Sequence, residues 1–166
     1  MPERETVNRA KRDLRRGRSA STAAGEFVRE EMHHIREGKH GARSTKQAIA
    51  IGLSKARRAG VPLKAPARGM SSRTRRAAKQ AYDTGQHKRK PRAPSRRRAT
   101  AMRAALKREP HRAASHRALA SHAHRSAMQR GPRARSAAAR KAVRTKGPAL
   151  RRAAARKAAR TRRRHR

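Results

Sequence analysis

The chain has 166 residues, of which 50 are Lys or Arg and nine are Asp or Glu, so its formal net charge at pH 7 is +41. Only 14 residues are Leu, Ile, Val or Phe, well below the roughly one fifth that globular domains usually contain. The composition therefore excludes a large hydrophobic core and favours a polyanionic partner, because so much charge of one sign repels itself.

The charge divides the chain into two parts. Seven of the nine acidic residues lie within the first 37 positions, so residues 1–62 carry a net charge of +8 and residues 63–166 carry +33. We place a boundary near Pro62, between a small helical module and a low-complexity basic tail. The expected fold class is all-α, with a helical hairpin followed by extended, largely non-globular Ala/Arg-rich helices and disordered linkers.

The first two helices are predicted from apolar spacing and end signals. Val7, Ala10 and Leu14 recur at helical spacing and indicate a short first helix. The second helix is predicted to begin at a Thr22 cap and to end at Gly38. One side of this helix is apolar apart from a single carboxylate, and it consists of Ala24, Phe27, Val28, Glu31, Met32 and Ile35.

The third helix has the clearest local signals. Ser44 and Gln47 form a capping-box pair, in which the Ser hydroxyl accepts from the Gln47 backbone N–H and the Gln side chain reaches back. Gly60 and Pro62 then end the helix. Its predicted apolar stripe consists of Ile49, Leu53 and Ala56.

The second and third helices are expected to fold back as a hairpin over residues 22–60. Each of its seven large apolar side chains stabilises the fold by roughly 2 kcal/mol. Ordering each backbone residue costs about 1 kcal/mol or more, so the hairpin is expected to be marginal alone. It then needs a contact with the first helix, self-association or a ligand.

Beyond Pro62 the sequence consists of short Ala/Arg/Ser segments separated by Gly and Pro, which is typical of helices joined by flexible linkers. The last two segments form an internal repeat over residues 131–162, in which two 16-residue copies agree at 11 of 16 positions. Each copy is a Gly-Pro pair followed by a cationic helix. The helical pieces are predicted at about 72–83, 96–109, 112–130, 133–146 and 149–164.

The arginines of the repeat follow helical spacing. Arg152, Arg156 and Arg160 are four residues apart, as are Arg140 and Arg144. Like charges at this spacing oppose helix formation by a few tenths of a kcal/mol per pair. We therefore expect the tail to be intrinsically disordered alone and to become helical when phosphates neutralise it. The alternative is a solvated basic tail with no folding step.

Nucleic acid is the expected partner. Duplex DNA presents one negative charge per ~1.7 Å, so a charge of +33 matches the phosphates of roughly 16 base pairs. The favoured function is nonspecific DNA binding by a histone-like, nucleoid-associated protein that neutralises phosphates. The candidate nucleic-acid-binding residues are Lys88, Arg89, Lys90, Arg96, Arg97, Arg98, Arg140, Lys141, Arg144, Arg152, Arg156, Lys157 and Arg160.

Two other functions stay open. Electrostatics does not separate DNA from RNA, so one alternative is an RNA- or ribosome-associated basic protein. Another is an adaptor whose hairpin binds a protein partner or a second copy of the chain. A helix-turn-helix is less favoured, because a third core helix is poorly supported. Its groove contacts would come from Lys46, Lys55, Arg57 and Arg58.

Catalytic and metal-binding motifs are weak. The best metal candidates are Glu30, His33, His34, Glu37 and His40, but a site needs three or four converging ligands. We expect these residues to be exposed and to form local charge pairs. No phosphate-binding Gly loop, nucleophile elbow or HExxH motif occurs. The sequence therefore predicts no metal, no cofactor and no enzymatic activity.

The compartment follows from what the sequence lacks. The chain has no Cys, and no apolar run approaches the ~20 residues of a membrane span. The segment MPERETVNRAKRDL lacks the apolar stretch of a signal peptide. We expect a soluble cytoplasmic protein of the nucleoid that has no membrane partner.

Residues 24–62, which include the string KQAIAIGLSKARRAG at 46–60, resemble the shared segment of an uncharacterised family of small basic bacterial proteins. The resemblance covers about a quarter of the chain. It implies a bacterial source and a helical module with a variable basic tail, and it brings no catalytic residues. The tail, with its AAARKA units, is similar in composition to bacterial linker-histone-like proteins.

Overall fold

The computed structural model describes residues 2–66, 69–91, 93 and 95–164. Over these residues the regular structure is helical and contains no strand, which confirms the all-α fold class. Two compact units are present, Met1–Ala120 and Ser121–Arg166. The elements are α1 (Arg4–Arg15), α2 (Ala20–Arg36), α3 (Thr45–Arg58), α4 (Ser72–Gly85), α5 (Arg96–Arg108), a 3₁₀ turn (His111–Ala114), α6 (His116–Gln129) and α7 (Gly131–Arg164).

The helix α1 forms where the first helix is predicted, and it packs on α2. Ala10 is buried in one cluster with Phe27, and Val7 and Leu14 pack against that cluster. The first helix thus covers apolar surface of α2 that the hairpin alone would leave in water.

The start of α2 differs from the prediction. The helix is capped by Ser19, whose side chain accepts from the Thr22 backbone N–H at 3.3 Å, and Thr22 lies inside the first turn. Ser19 has an extended backbone, with φ −63° and ψ 151°, which is the usual conformation of an N-cap residue. The predicted end is correct, because Gly38 adopts a φ of +76° just after the helix.

The capping signal of α3 is confirmed with one change of partner. The Gln47 backbone N–H donates to Ser44 Oγ at 3.2 Å, as predicted. The Gln47 side chain reaches back to the backbone N–H of Arg43 at 2.9 Å, one residue before the capping residue. Two backbone donors at the helix start are therefore satisfied.

The buried face of α3 consists of smaller residues than the predicted stripe. Thr45, Ala48, Gly52 and Ala56 are buried, whereas Ile49 and Leu53 are only partly buried. These two large side chains lie at the flanks, in the clusters that contain Ile35 and Phe27 respectively. Small residues occupy the face itself, because the backbones of α2 and α3 approach closely there.

The helix α4 packs on α3, so the first unit continues past Pro62, where the charge distribution changes. Gly85 lies so close to the end of α3 that a Cβ on it would be 1.8 Å from the Arg57 carbonyl oxygen. Gln86 Nε2 donates to the Gly60 carbonyl at 3.0 Å. The end of α4 is therefore held against the end of α3 by the close packing of Gly85 and by the hydrogen bond of Gln86.

The last turn of α5 and the segment between α5 and α6 also contact the region around the start of α3. The backbone N–H of Gly41 donates to the Leu106 carbonyl at 2.8 Å, and Thr45 Oγ1 donates to the Ala113 carbonyl at 2.8 Å. Ala113 and Ala114 are buried in the cluster around Ile35. The predicted helix over 112–130 is interrupted here by the 3₁₀ turn and begins again at α6.

The tail is more ordered than expected. Its described residues form α4, α5, α6 and α7, in place of a largely disordered segment. Ser71, Ser95 and Ser115 each accept a backbone N–H at the start of a tail helix, and Ala provides high helix propensity between the arginines. Residues 67, 68, 92 and 94 of the predicted linkers lie outside the described residues.

The two repeat copies form α7, which bends at the junction between them. Gly147 has φ 65° and ψ 172°, outside the helical region, and Pro148 follows it. Pro has no backbone N–H and cannot continue the preceding turn. The Gly-Pro pair thus separates two cationic helical segments, as the repeat predicts.

Candidate functional site

All thirteen predicted nucleic-acid-binding residues are exposed. Lys88 follows the end of α4, and Arg96, Arg97 and Arg98 form the first turn of α5. In α7, Arg140, Lys141 and Arg144 lie on the first repeat copy, which has no buried residue. These seven side chains are accessible to solvent.

Arg89 and Lys90 line a surface groove with Arg58 of α3. The groove has a volume of about 420 Å³, and Gln80 and Thr84 of α4 complete its polar lining. The contact between the ends of α3 and α4 brings these residues together. Three cationic side chains around one concave surface form a suitable site for a phosphate group.

The turn after α4 positions these residues. The backbone N–H of Lys88 donates to the Asp83 carbonyl at 2.9 Å, and His87 adopts a φ of 57°. Arg58 is not one of the thirteen predicted phosphate contacts and was expected to bind nucleic acid only as part of a helix-turn-helix. The sequence does not show that Gly60 and Gly85 allow two helix ends to meet. The one sequence feature that points to this contact is a glycine near the end of each of the two consecutive helices.

Two other basic residues of α3 are occupied inside the fold, whereas Lys46 is exposed. Arg57 is 8% exposed, and its guanidinium donates to the carbonyls of Leu63 at 3.1 Å and Lys64 at 3.4 Å. Burial lowers the pKa of Arg57. Lys55 Nζ lies 2.6 Å from Glu31 Oε2. Lys55 and Arg57 are therefore not free to contact a DNA groove, and that part of the helix-turn-helix alternative is wrong.

The second repeat copy carries a continuous basic face. Arg152, Arg156, Lys157 and Arg160 lie along one side of the helix, with small alanines between them. The spacing of four residues places successive arginines one above the other. This face brings together four of the predicted residues.

Several acidic residues of the first unit are paired within it. Arg9 donates to Glu26 at 2.7 Å and also pairs with Glu5, and the hydrogen bond with Glu26 raises the pKa of Arg9. Arg18 lies 3.1 Å from Asp13. These ion pairs leave little local negative charge to oppose binding of a polyanion.

The His- and Glu-containing part of α2 is not the exposed segment that we expected. Glu30 is 4% exposed and Glu31 is fully buried. The side chains of His34 and His40 are 13% and 18% exposed. Only His33 and Glu37 of the five candidates are exposed. The expected exposure is therefore wrong for Glu30, His34 and His40, although His34 and Glu30 do form a local pair with Nε2 and Oε1 3.8 Å apart.

The amino terminus covers this region. The Glu3 backbone N–H donates to Glu30 Oε1 at 3.1 Å, and Glu3 Oε1 accepts from His34 Nε2 at 3.0 Å. The hydrogen bond from His34 lowers the pKa of Glu3. The position of Glu31 as the one charged residue on an apolar side was the sequence signal for this buried cluster.

Residues 15–68 match the model of a family of unknown function, DUF6496. The match includes α2, α3 and the loop between them, and it is consistent with the resemblance of residues 24–62 to an uncharacterised family. No curated protein and no solved structure matches the chain.

Within the described residues, each helix is too short or too polar to cross a bilayer.

Proposed function

We propose that this protein binds DNA without sequence specificity and neutralises its phosphates, as a histone-like component of the bacterial nucleoid. One observation carries the proposal. The helix α7 contains fourteen Lys and Arg residues, no acidic residue and no buried residue. A helix that buries nothing and carries charge of one sign needs a polyanion to offset its self-repulsion.

The charge density of α7 suits duplex DNA. Residues 149–164 contain eight Lys or Arg residues and span about 24 Å at a rise of ~1.5 Å per residue. Duplex DNA of that length presents about 14 phosphate charges. One helical segment therefore neutralises roughly half of the charge beside it, and the counterions released from the DNA favour binding.

The aromatic content supports duplex binding over binding to single strands. The chain has one Phe and one Tyr, and Phe27 is fully buried. Proteins that bind single strands usually stack bases on exposed aromatic rings. The basic face of α7 instead offers guanidinium groups, which form paired hydrogen bonds with phosphate oxygens of any sequence.

The groove of Arg58, Arg89 and Lys90 provides a second contact in the first unit. Its concave shape and three cations suit a single phosphate group. In this proposal the tail supplies most of the affinity, and the groove adds a phosphate contact near the family-matched module. Neither element requires a cofactor or a catalytic step.

The test is fluorescence anisotropy of labelled duplex DNA with the full-length protein over a series of salt concentrations. We expect tight binding at low salt and a steep loss of affinity as salt increases. Competition with double-stranded RNA and single-stranded DNA at ~0.15 M salt measures the preference, because long-range attraction is partly screened there. A preference for RNA would favour the RNA-associated alternative, and no binding in dilute buffer would overturn the proposal.

A further inference from the structure

Three carboxylates and two imidazoles converge beside α2. One ligand atom each from Glu31, His34 and His40 lie within 4.8 Å of one another, as do atoms from Glu3, Glu30 and His34. The two groups share His34. The rings of His34 and His40 are nearly perpendicular, with centroids 6.4 Å apart. Such a set of oxygen and nitrogen atoms has the composition of a transition-metal site.

Glu31 is the residue that requires an explanation. It is fully buried, and neither of its carboxylate oxygens accepts a hydrogen bond from the described residues. Lys55 Nζ lies 2.6 Å from Oε2, and His40 Nε2 lies 3.4 Å from Oε1. A buried carboxylate is costly unless cations and donors compensate it. The Lys55 ammonium compensates the charge at Oε2 only, so Oε1 remains available to bind a cation.

His40 is arranged as a metal ligand. Its Nδ1 lies 3.1 Å from the Gly41 carbonyl oxygen, which can only accept, so Nδ1 carries the hydrogen. In the neutral imidazole, Nε2 then presents a lone pair toward Glu31 Oε1. Two lone pairs that face each other repel unless a proton or a metal ion lies between them. Hydrogen bonding of the second ring nitrogen to a backbone carbonyl is a recurrent feature of metal-binding histidines.

His34 has a matching arrangement. Its Nε2 donates to Glu3 Oε1 at 3.0 Å, which leaves Nδ1 as the lone-pair nitrogen. A carboxylate bound to the outer nitrogen of a ligand imidazole fixes the ring and increases its basicity. Glu3 is about half exposed and also lies 3.8 Å from Lys39 Nζ. It therefore suits the role of an orienting residue better than that of a ligand.

We infer that Glu31, His34 and His40 bind a divalent transition-metal ion of the Zn²⁺ class. Two imidazoles and one carboxylate are a known Zn²⁺ ligand set that leaves a fourth position for water or another ligand. Hard cations such as Mg²⁺ prefer oxygen ligands, so the two imidazoles favour Zn²⁺. Glu31 binds through Oε1, and Lys55 keeps its contact with Oε2.

The site has a structural consequence. Glu31 and His34 belong to α2, whereas His40 belongs to the loop before α3, which the Gly41–Leu106 hydrogen bond ties to the last turn of α5. An ion at this point joins the three parts of the chain. A ligand that binds only the folded state stabilises it, so Zn²⁺ raises the unfolding temperature.

The test is isothermal titration of metal-free, full-length protein with ZnCl₂ in the absence of nucleic acid. We expect one high-affinity ion per chain, and a loss of affinity of roughly tenfold or more in His40→Asn and in Glu31→Gln. His33→Asn is the matched control, because His33 is the exposed neighbour of His34 on the same helix. Its affinity is expected to equal that of the wild type.

Two further measurements keep the outcome decisive. Co²⁺ added to the wild-type protein is expected to give visible absorption bands that His40→Asn lacks, which does not require the Glu31→Gln variant to fold. A His122→Asn/His124→Asn double variant is expected to bind normally. Absence of stoichiometric binding, unchanged affinity in His40→Asn, or loss of binding only in the double variant would overturn the site.

Discussion

Gly52 of α3 lies directly against Val28 of α2, and a Cβ on Gly52 would be 2.7 Å from the Val28 Cα and 3.0 Å from the Phe27 carbonyl oxygen. Ala48 and Ala56 lie one turn before and after Gly52 and are fully buried. The close approach of the two helices therefore depends on a line of small residues. Backbone atoms cannot move aside for a new methyl group as a flexible side chain can.

We predict that Gly52→Ala destabilises the protein. The higher helix propensity of Ala contributes about 1 kcal/mol, but forcing the helices apart costs about 1–3 kcal/mol. The control is Gly25→Ala in α2, where no atom lies within 4 Å of the new Cβ, so stability is expected to increase. Thermal unfolding followed by circular dichroism measures both. Equal stabilisation by the two substitutions would contradict the close packing.

The attachment of the segment after α5 depends on Thr45. We predict that Thr45→Val costs about 1–3 kcal/mol, because the buried Ala113 carbonyl loses its hydrogen-bond donor. Thr161→Val is the control, since Thr161 is exposed and bonds only to the Lys157 carbonyl of its own helix. Its effect is expected to stay within about 0.5 kcal/mol. Denaturant unfolding of both variants checks the difference.

Neighbouring arginines at the end of α3 are predicted to have opposite roles. Arg57→Gln lowers stability by about 1–3 kcal/mol, because it removes charged hydrogen bonds to the carbonyls of Leu63 and Lys64. Arg58→Gln leaves stability unchanged and weakens DNA binding, because Arg58 is exposed in the groove with Arg89. Thermal unfolding and anisotropy are measured on each variant. The same effect from both substitutions would contradict this separation.

The salt dependence of DNA affinity is predicted from the number of phosphate contacts. Ten contacts give a slope of about −9 in a plot of log affinity against log salt concentration. The triple variant Arg152→Gln/Arg156→Gln/Arg160→Gln reduces the slope by about 2.7. Arg18→Gln is the control, because Arg18 pairs with Asp13. A slope that the triple variant does not change would show that the basic face of α7 is not in contact with phosphates.

Much of the helical structure was predictable because the signals are local. The Ser44 cap and the left-handed glycine at 60 each depend on atoms within a few residues. The same local reasoning failed for the cap of α2, where both Ser19 and Thr22 can cap and the sequence does not distinguish between them. It also failed for tail disorder, because the helix propensity of Ala and the Ser caps offset the repulsion between neighbouring arginines.

The candidate sites also combine features that local sequence predicts with features that depend on tertiary contacts. The thirteen predicted nucleic-acid-binding residues are exposed, which follows from composition because the chain has too little apolar surface to bury them. The contact of Arg58 with the groove at Arg89 was not predictable, since it requires two helix ends to meet. The burial of Glu30 was missed as well, because it results from the amino terminus crossing α2 at Glu3.

The sequence by itself determined the charge, the helical class and the basic face that we assign to DNA, since these follow from composition and from spacing along one helix. Only the tertiary structure decided which polar residues are buried and which of them meet. Glu31, His34 and His40 converge because a loop folds against α2, and the distances between segments depend on packing that no local pattern encodes.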